Sequence, residues 1–170
     1  MSLRRRRSVR QLNWLLTSCL ATVLALVVFT IWSIAPSEAD KPFVTVYASS
    51  DCRCCQRWIE HMRDRGFRVQ MAPAAQRTSI REHFGVPANM QACHTAVVDG
   101  VLLEGHVPAH DVHQLLQWKD RATTVALMVP GMPRGSPGME SLVHDPYTVY
   151  ALRTSGNVRA FFDHDPHELQ

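Results

Sequence analysis

The sequence predicts an α/β domain with a C-terminal β extension, set behind an N-terminal apolar helix. Three observations lead there. Beyond position 40 the apolar periodicity changes in the order strand, helix, strand, helix, strand, strand, helix. The run Val44 to Ala48, rich in β-branched residues, leads into three cysteines within four positions, Cys52, Cys54 and Cys55, which open an amphipathic helix. Farther on, Asp99-Gly100 separates two short apolar runs, the strongest short-range hairpin signal there is.

The leader comes first. At 170 residues the chain has room for one domain of ordinary size plus a leader, divided as 1–39 and 40–170. Arg4, Arg5, Arg6, Arg7 and Arg10 precede an apolar segment from Trp14 to Ile34, and Ser37-Glu38-Ala39 follows it. This pattern predicts an export signal. Small residues at Ser37 and Ala39 suit a signal peptidase, while about 20 apolar residues also suffice to span a bilayer as a membrane anchor. With the arginines in the cytoplasm, either outcome places the domain in the periplasm. Arg6-Arg7 hints at a twin-arginine signal, but the residues after it match poorly. The formal charge of +3 belongs to the leader, because beyond Ala39 there are 13 basic and 14 acidic residues. Such a balance offers no nucleic-acid surface.

The elements follow in order. Asp40 to Pro42 links into a strand, Phe43 to Ala48, and Ser50 or Asp51 is placed to cap the cysteine helix. Cys55, Trp58, Ile59 and Met62 recur at i, i+3, i+4 and i+7, which makes one apolar face of a helix ending near Arg65-Gly66. Phe67 to Met71 reads as a strand. Ser79 and Glu82 form a capping box for a short helix that stops at Gly85. Thr95–Val98 and Val101–Glu104 are the hairpin strands, and Pro108 opens a helix from Ala109 to Trp118. Val125 to Val129 is apolar, and Gly131 to Glu140 is a loop dense in glycine and proline that presents Met132 and Met139. Pro146–Leu152 and Val158–Phe162 predict a last hairpin, and Asp163 to Gln170 a frayed tail.

That order, with a cysteine motif closing the first strand, resembles the three-layer thioredoxin fold. Cys52 and Cys55 make a C-x-x-C pair where thioredoxin-like proteins carry theirs. Glutaredoxin-like members place a cis-proline six residues before the hairpin glycine, and six before Gly100 stands His94. The resemblance implies that Cys93-His94 faces the cysteine helix, so that Cys52, Cys54, Cys55 and Cys93 converge. His94 in the proline position departs from the thioredoxin pattern and argues against a standard oxidoreductase role. CRCC, ACHTAVVDG, EGHVPAHDV and VPGMPRGSPGME together are similar to the exported bacterial copper-resistance proteins called CopG-like, over roughly Phe43 to Phe162. That resemblance implies a thioredoxin-like fold, copper bound through those four cysteines in a multinuclear copper–thiolate cluster, and a role in copper resistance.

The residues themselves point to soft-metal or thiol chemistry. Cys19 belongs to the leader, so four cysteines remain, and three of them crowd one turn, whereas structural bridges staple distant segments. A helix start favours thiolates, which bind soft metals and attack disulfides. Cu(I) suits such a set best, with zinc in a closed four-cysteine site as the alternative. Thiol–disulfide exchange by Cys52 and Cys55 is the competing activity, and a zinc-stabilised interaction module the other. His94, His106, Met132 and Met139 are secondary metal-ligand candidates. His110 and His113 read as a solvated face, and Trp58 and Trp118 as core. Expected partners are copper ions and other copper-handling proteins of the periplasm, with the membrane touched through the N-terminal segment alone. No catalytic triad, paired-carboxylate site or phosphate-cradling loop stands out, and Asp51 and Glu104 are isolated in the sequence. Any enzymatic activity would be redox, of copper or of thiols.

Overall fold

The structure, a computed structural model, describes residues 3–34 and 38–165. The expected cleavage position at Ser37 and the tail residues 166–170 lie outside the described residues. Two compact units divide the chain, residues 1–40 and 41–170. The first consists of helix α1 (Leu3–Ile34) and a short 3-10 turn at Glu38–Asp40. Among the described residues no helix is long and apolar enough to cross a membrane, which leaves the anchor expectation without a span.

The second unit is built on one seven-stranded sheet. In chain order it runs β1 (Phe43–Ala48), α2 (Arg53–Asp64), β2 (Arg68–Pro73), α3 (Arg77–Phe84), β3 (Thr95–Val98), β4 (Val101–Glu104), α4 (Ala109–Gln117), β5 (Thr124–Met128), β6 (Tyr147–Arg153) and β7 (Val158–His164). The strands lie in the order β2-β1-β3-β4-β5-β6-β7. β1 pairs parallel with β2 and antiparallel with β3, and β4 pairs antiparallel with β3 and parallel with β5. β6 and β7 then extend the sheet antiparallel.

The period-2 geometry of β1 sends Val44, Val46 and Ala48 to one face. There they meet Cys55, Trp58, Ile59 and Met62 of α2, and Ala109, Val112 and Leu115 of α4. The opposite face gathers Leu102, Ala126, Met128 and Leu152 under Ile80 and Phe84 of α3. With helices on both faces β4 is buried at every position, and Val101 to Leu103 read as a continuous apolar run before Glu104. Trp58 and Met62 are fully buried, and each such side chain contributes about 1.5–3 kcal/mol.

Element existence follows the sequence closely, but several details differ. Asp99 (φ 46°) and Gly100 (φ 78°) form the turn, both left-handed as a two-residue hairpin of this kind requires. The Ser79 capping box does not form. A 3-10 turn at Ala74–Gln76 feeds α3, whose N-cap is Gln76, three residues before the expected Ser79, and the Ser79 hydroxyl donates to the Gln76 carbonyl from inside the helix. Trp118 is 46% exposed rather than core, because it follows the last residue of α4 and rests against Phe161. The start of the expected tail is not frayed: Asp163 and His164 belong to β7, and His164 Nε2 lies 2.7 Å from the buried Asp111 carboxylate.

Candidate metal centre

The centre begins at the first turn of α2. Cys52 is its N-cap, with extended backbone (φ −78°, ψ 97°), and its sulfur accepts from the Cys55 amide at 3.4 Å. Ser50 and Asp51, expected in that role, instead bond each other at 3.4 Å. Cys52 and Cys55 are joined by a disulfide, which the crowding of the cysteines had argued against. The reason is local geometry. Three residues across a helix start bring the two Cα atoms to 5.3 Å, within bridging range, so neighbours in sequence can bond where one turn separates them. Cys54 and Cys93 are free thiols.

Cys93 arrives from the loop before β3, and a buried polar network holds that loop. Arg81 of α3 pairs with Glu104 at the end of β4, and its guanidinium also donates to the Ala92 carbonyl and to Thr95 Oγ1. Glu104 in turn accepts from the Ala92 amide at 2.7 Å and from the Thr95 hydroxyl at 2.6 Å. Arg77 donates to the Cys93 carbonyl. Glu104, isolated in sequence, is thus fully buried and bonded on both oxygens. The α3 arginines fix the backbone on either side of the thiol.

The outcome is that all four sulfurs lie within 4.8 Å of one another. Cys52 and Cys54 are 3.4 Å apart, Cys54 and Cys93 3.9 Å, and Cys55 and Cys93 3.7 Å. Two buried imidazoles complete the cluster: His94 Nδ1 stands 3.2 Å and His106 Nε2 3.1 Å from the Cys93 sulfur. His106 Nδ1 lies 2.8 Å from the Pro137 carbonyl, an acceptor, so Nδ1 carries the proton and Nε2 offers its lone pair. His94 packs against Trp58 with ring centroids 4.5 Å apart, and its Nε2 is buried without a partner. Both candidate histidines therefore reach the Cys93 sulfur.

Electrostatics sets their protonation. Burial, then His106, push the His94 pKa down to about 3, and burial lowers that of His106. Neutral imidazole is the ligand form. Burial, reinforced by Cys54 alongside, pushes the Cys93 thiol up to about 12. In this metal-free structure, with Cys52 and Cys55 bonded, Cys93 is therefore protonated at neutral pH, and a metal must displace that proton. Metal affinity is expected to rise with pH by roughly tenfold per unit for each thiol proton released, with no slope from His94 above pH 5. Competition against a Cu(I) chelator at pH 6 and pH 8 measures this, and equal affinities would contradict it.

The Gly131–Glu140 loop divides its two methionines. Met132 is 53% exposed and lines a cleft of about 480 Å³ with Pro130, Pro133, Pro146, Tyr147, Thr148 and Tyr150. Met139 is half-buried beside Gly138, which lies directly on α2. A Cβ on Gly138 would come within 2.6 Å of the Cys54 carbonyl oxygen, and the backbone there has φ 84°. Gly138→Ala is expected to cost about 1–3 kcal/mol of stability and to lift the loop that carries Pro137 off the cysteine turn. Thermal melting and Cu(I) competition measure the two effects, and an unchanged melt would exclude the close approach. Gly138 and the Arg81–Glu104 pair were not found by sequence reasoning. His113 bonds the Arg65 carbonyl at 2.8 Å and His110 is exposed near Phe162, both away from the sulfurs.

With the Cys52–Cys55 bridge reduced, four thiols and two neutral imidazoles fit a soft cation, and the disulfide fits thiol exchange. Residues 90–139, which carry Cys93, His94, His106 and the loop, match the family described as "Protein of unknown function, DUF411". No curated protein matches the chain. The chain is similar to two solved structures, "Copper resistance protein copG- Form 2" and "Copper resistance protein copG- Form 1". Identity is 38% with each, and the TM-scores are 0.68 and 0.67. The alignments cover 74% and 73% of this chain, and 99% and 98% of the respective relatives.

Proposed function

The chain belongs to the CopG-like copper-resistance family, and from that premise we propose that it is a periplasmic protein that holds Cu(I) in a thiolate site for copper resistance. One observation carries the proposal: Cys93 meets the sulfurs of Cys52, Cys54 and Cys55 across 38 residues of sequence, all four within 4.8 Å. The fold is read as thioredoxin-like and three-layered. Support comes from the order β2-β1-β3-β4, the cysteine turn after β1, and helices on both sheet faces. Copper ions are the ligand, exchanged with other copper-handling proteins of the same compartment. The arginine-led apolar segment supports export, and fractionation of cells carrying the full chain tests it.

Cu(I) is preferred over zinc because thiolates close enough to share ions suit a soft cation. The test loads the reduced chain anaerobically with Cu(I) and Zn(II) in competition and analyses the desalted protein. Retained copper supports the reading. Retained zinc makes the centre a structural site for an interaction module, and no retained metal overturns the metal reading. The Cys52–Cys55 bond favours one other reading, a thiol–disulfide oxidoreductase. Turnover in an insulin-reduction assay by the metal-free protein would favour it.

A further inference from the structure

Helix α4 begins without a cap of its own. Pro108 holds its N-cap position and offers no side-chain bond to the first turn, so the Ala109 amide needs an acceptor from elsewhere. His61 of α2 supplies it: Ala109 donates to His61 Nε2 at 3.1 Å, across 48 positions of sequence. One turn earlier on the same helix, the buried Trp58 donates from Nε1 to the Val107 carbonyl at 2.8 Å. Nε2 accepts only while the imidazole is neutral. Burial, then the Arg65 charge, push the His61 pKa down to about 4 against the opposite pull of Glu140 and Asp64, so His61 stays an acceptor at neutral pH.

The segment held in this way is the one that carries His106. Between β4 and α4 the backbone turns sharply: Gly105 has φ 74°, and the Val107 amide donates back to the Gly105 carbonyl at 2.9 Å. Pro137 holds the His106 ring from the other side, accepting its Nδ1 proton at 2.8 Å, and the Pro137 loop rests on α2 through Gly138. Three holds on the His106 turn therefore lead to α2. That helix also brings Cys52, Cys54 and Cys55 in its cap and first turn.

We propose that His61 is a positioning residue of the metal centre: by accepting the Ala109 amide it holds the turn that aims the His106 Nε2 lone pair at the Cys93 sulfur, 3.1 Å away. The proposal rests on the copper-binding reading above and adds to it the residue that presets a nitrogen ligand. His61 acts through His106 rather than at the metal, since it is not one of the clustered donors. With the turn clamped at both Val107 and Ala109, the imidazole is ordered before the ion arrives, and binding does not have to order it. Affinity gained in this way needs no further contact with the ion.

Three substitutions in the reduced full-length chain separate the acceptor from the bulk of the ring. His61→Phe keeps an aromatic ring and removes the acceptor. His61→Gln sets an amide oxygen the same number of bonds from the backbone as Nε2, and His61→Asn sets it one bond short of the Ala109 amide. Chelator competition reads Cu(I) affinity, proton–nitrogen NMR correlations of the His106 ring read its tautomer before and after Cu(I) is added, and a thermal melt keeps both within the folded range. His61→Phe and His61→Asn are each expected to weaken Cu(I) binding roughly tenfold and to leave His106 in mixed tautomers in the metal-free protein. His61→Gln is expected to restore both properties to near the wild-type values. Wild-type affinity with a single His106 tautomer in His61→Phe or His61→Asn would overturn the proposal. So would an affinity loss with the His106 signals unchanged, or a His61→Gln variant no better than the other two. If the wild-type chain retains no Cu(I), the binding reading falls, while the metal-free His106 spectra still decide whether His61 positions that ring.

Discussion

Replacing Cys93 with alanine is expected to weaken Cu(I) binding at least about a hundredfold, or about 2.7 kcal/mol. Cys93 is where the two halves of the centre meet. Its sulfur lies 3.7 Å from Cys55, 3.9 Å from Cys54, and just over 3 Å from a nitrogen of each buried histidine. Without it the sulfurs of α2 remain on one turn, and His94 and His106 lose the thiolate that links them to those sulfurs. The substitution removes one half-buried sulfur and leaves the backbone bonds of Ala92, Cys93 and His94 in place, so the melting temperature should change little. Competition of the reduced variant against a Cu(I) chelator, with a thermal melt as control, separates a binding defect from a folding one. Unaltered affinity and copper stoichiometry would take Cys93 out of the site.

The residues legible in the sequence were those whose signals are local. β1, the Asp99-Gly100 hairpin and the apolar face of α2 declare themselves through periodicity or turn chemistry, and each appears as expected. The approach of Cys93 to the cysteine turn has no local signature. It was reached through a likeness of element order, since strand order is what carries residue 93 to residue 55. Three further features were not settled by local signals. The Cys52–Cys55 bond is a question of oxidation state, which spacing permits but does not decide. Gly138 looks like one more loop glycine until its contact with the Cys54 carbonyl is measured. Glu104 looks like a strand-end carboxylate until the fold brings Arg81 to it from 23 positions away.

Glu104→Ala should be the most destabilising of these substitutions, by about 3–5 kcal/mol, because it leaves the Arg81 guanidinium buried opposite no charge. For a chain of this size that lowers the melting temperature on the order of 10 °C. The effect does not stop at the ion pair. Glu104 also receives the Ala92 amide and the Thr95 hydroxyl, so both ends of the segment that presents Cys93 and His94 lose an acceptor. Gly105, next in sequence, donates to the His94 carbonyl at 2.9 Å, and shifting it would disturb that residue as well. Cu(I) affinity should therefore fall together with stability, in contrast to Cys93→Ala, where affinity falls alone. An Arg81→Met, Glu104→Leu double variant removes the unpaired charge and should recover part of the melting temperature without the affinity, because no apolar side chain can accept from the Ala92 amide. Calorimetry of the metal-free proteins and chelator competition of the reduced ones read the two quantities. If the double variant regained full Cu(I) affinity, the network would be packing alone and would have no part in aiming Cys93.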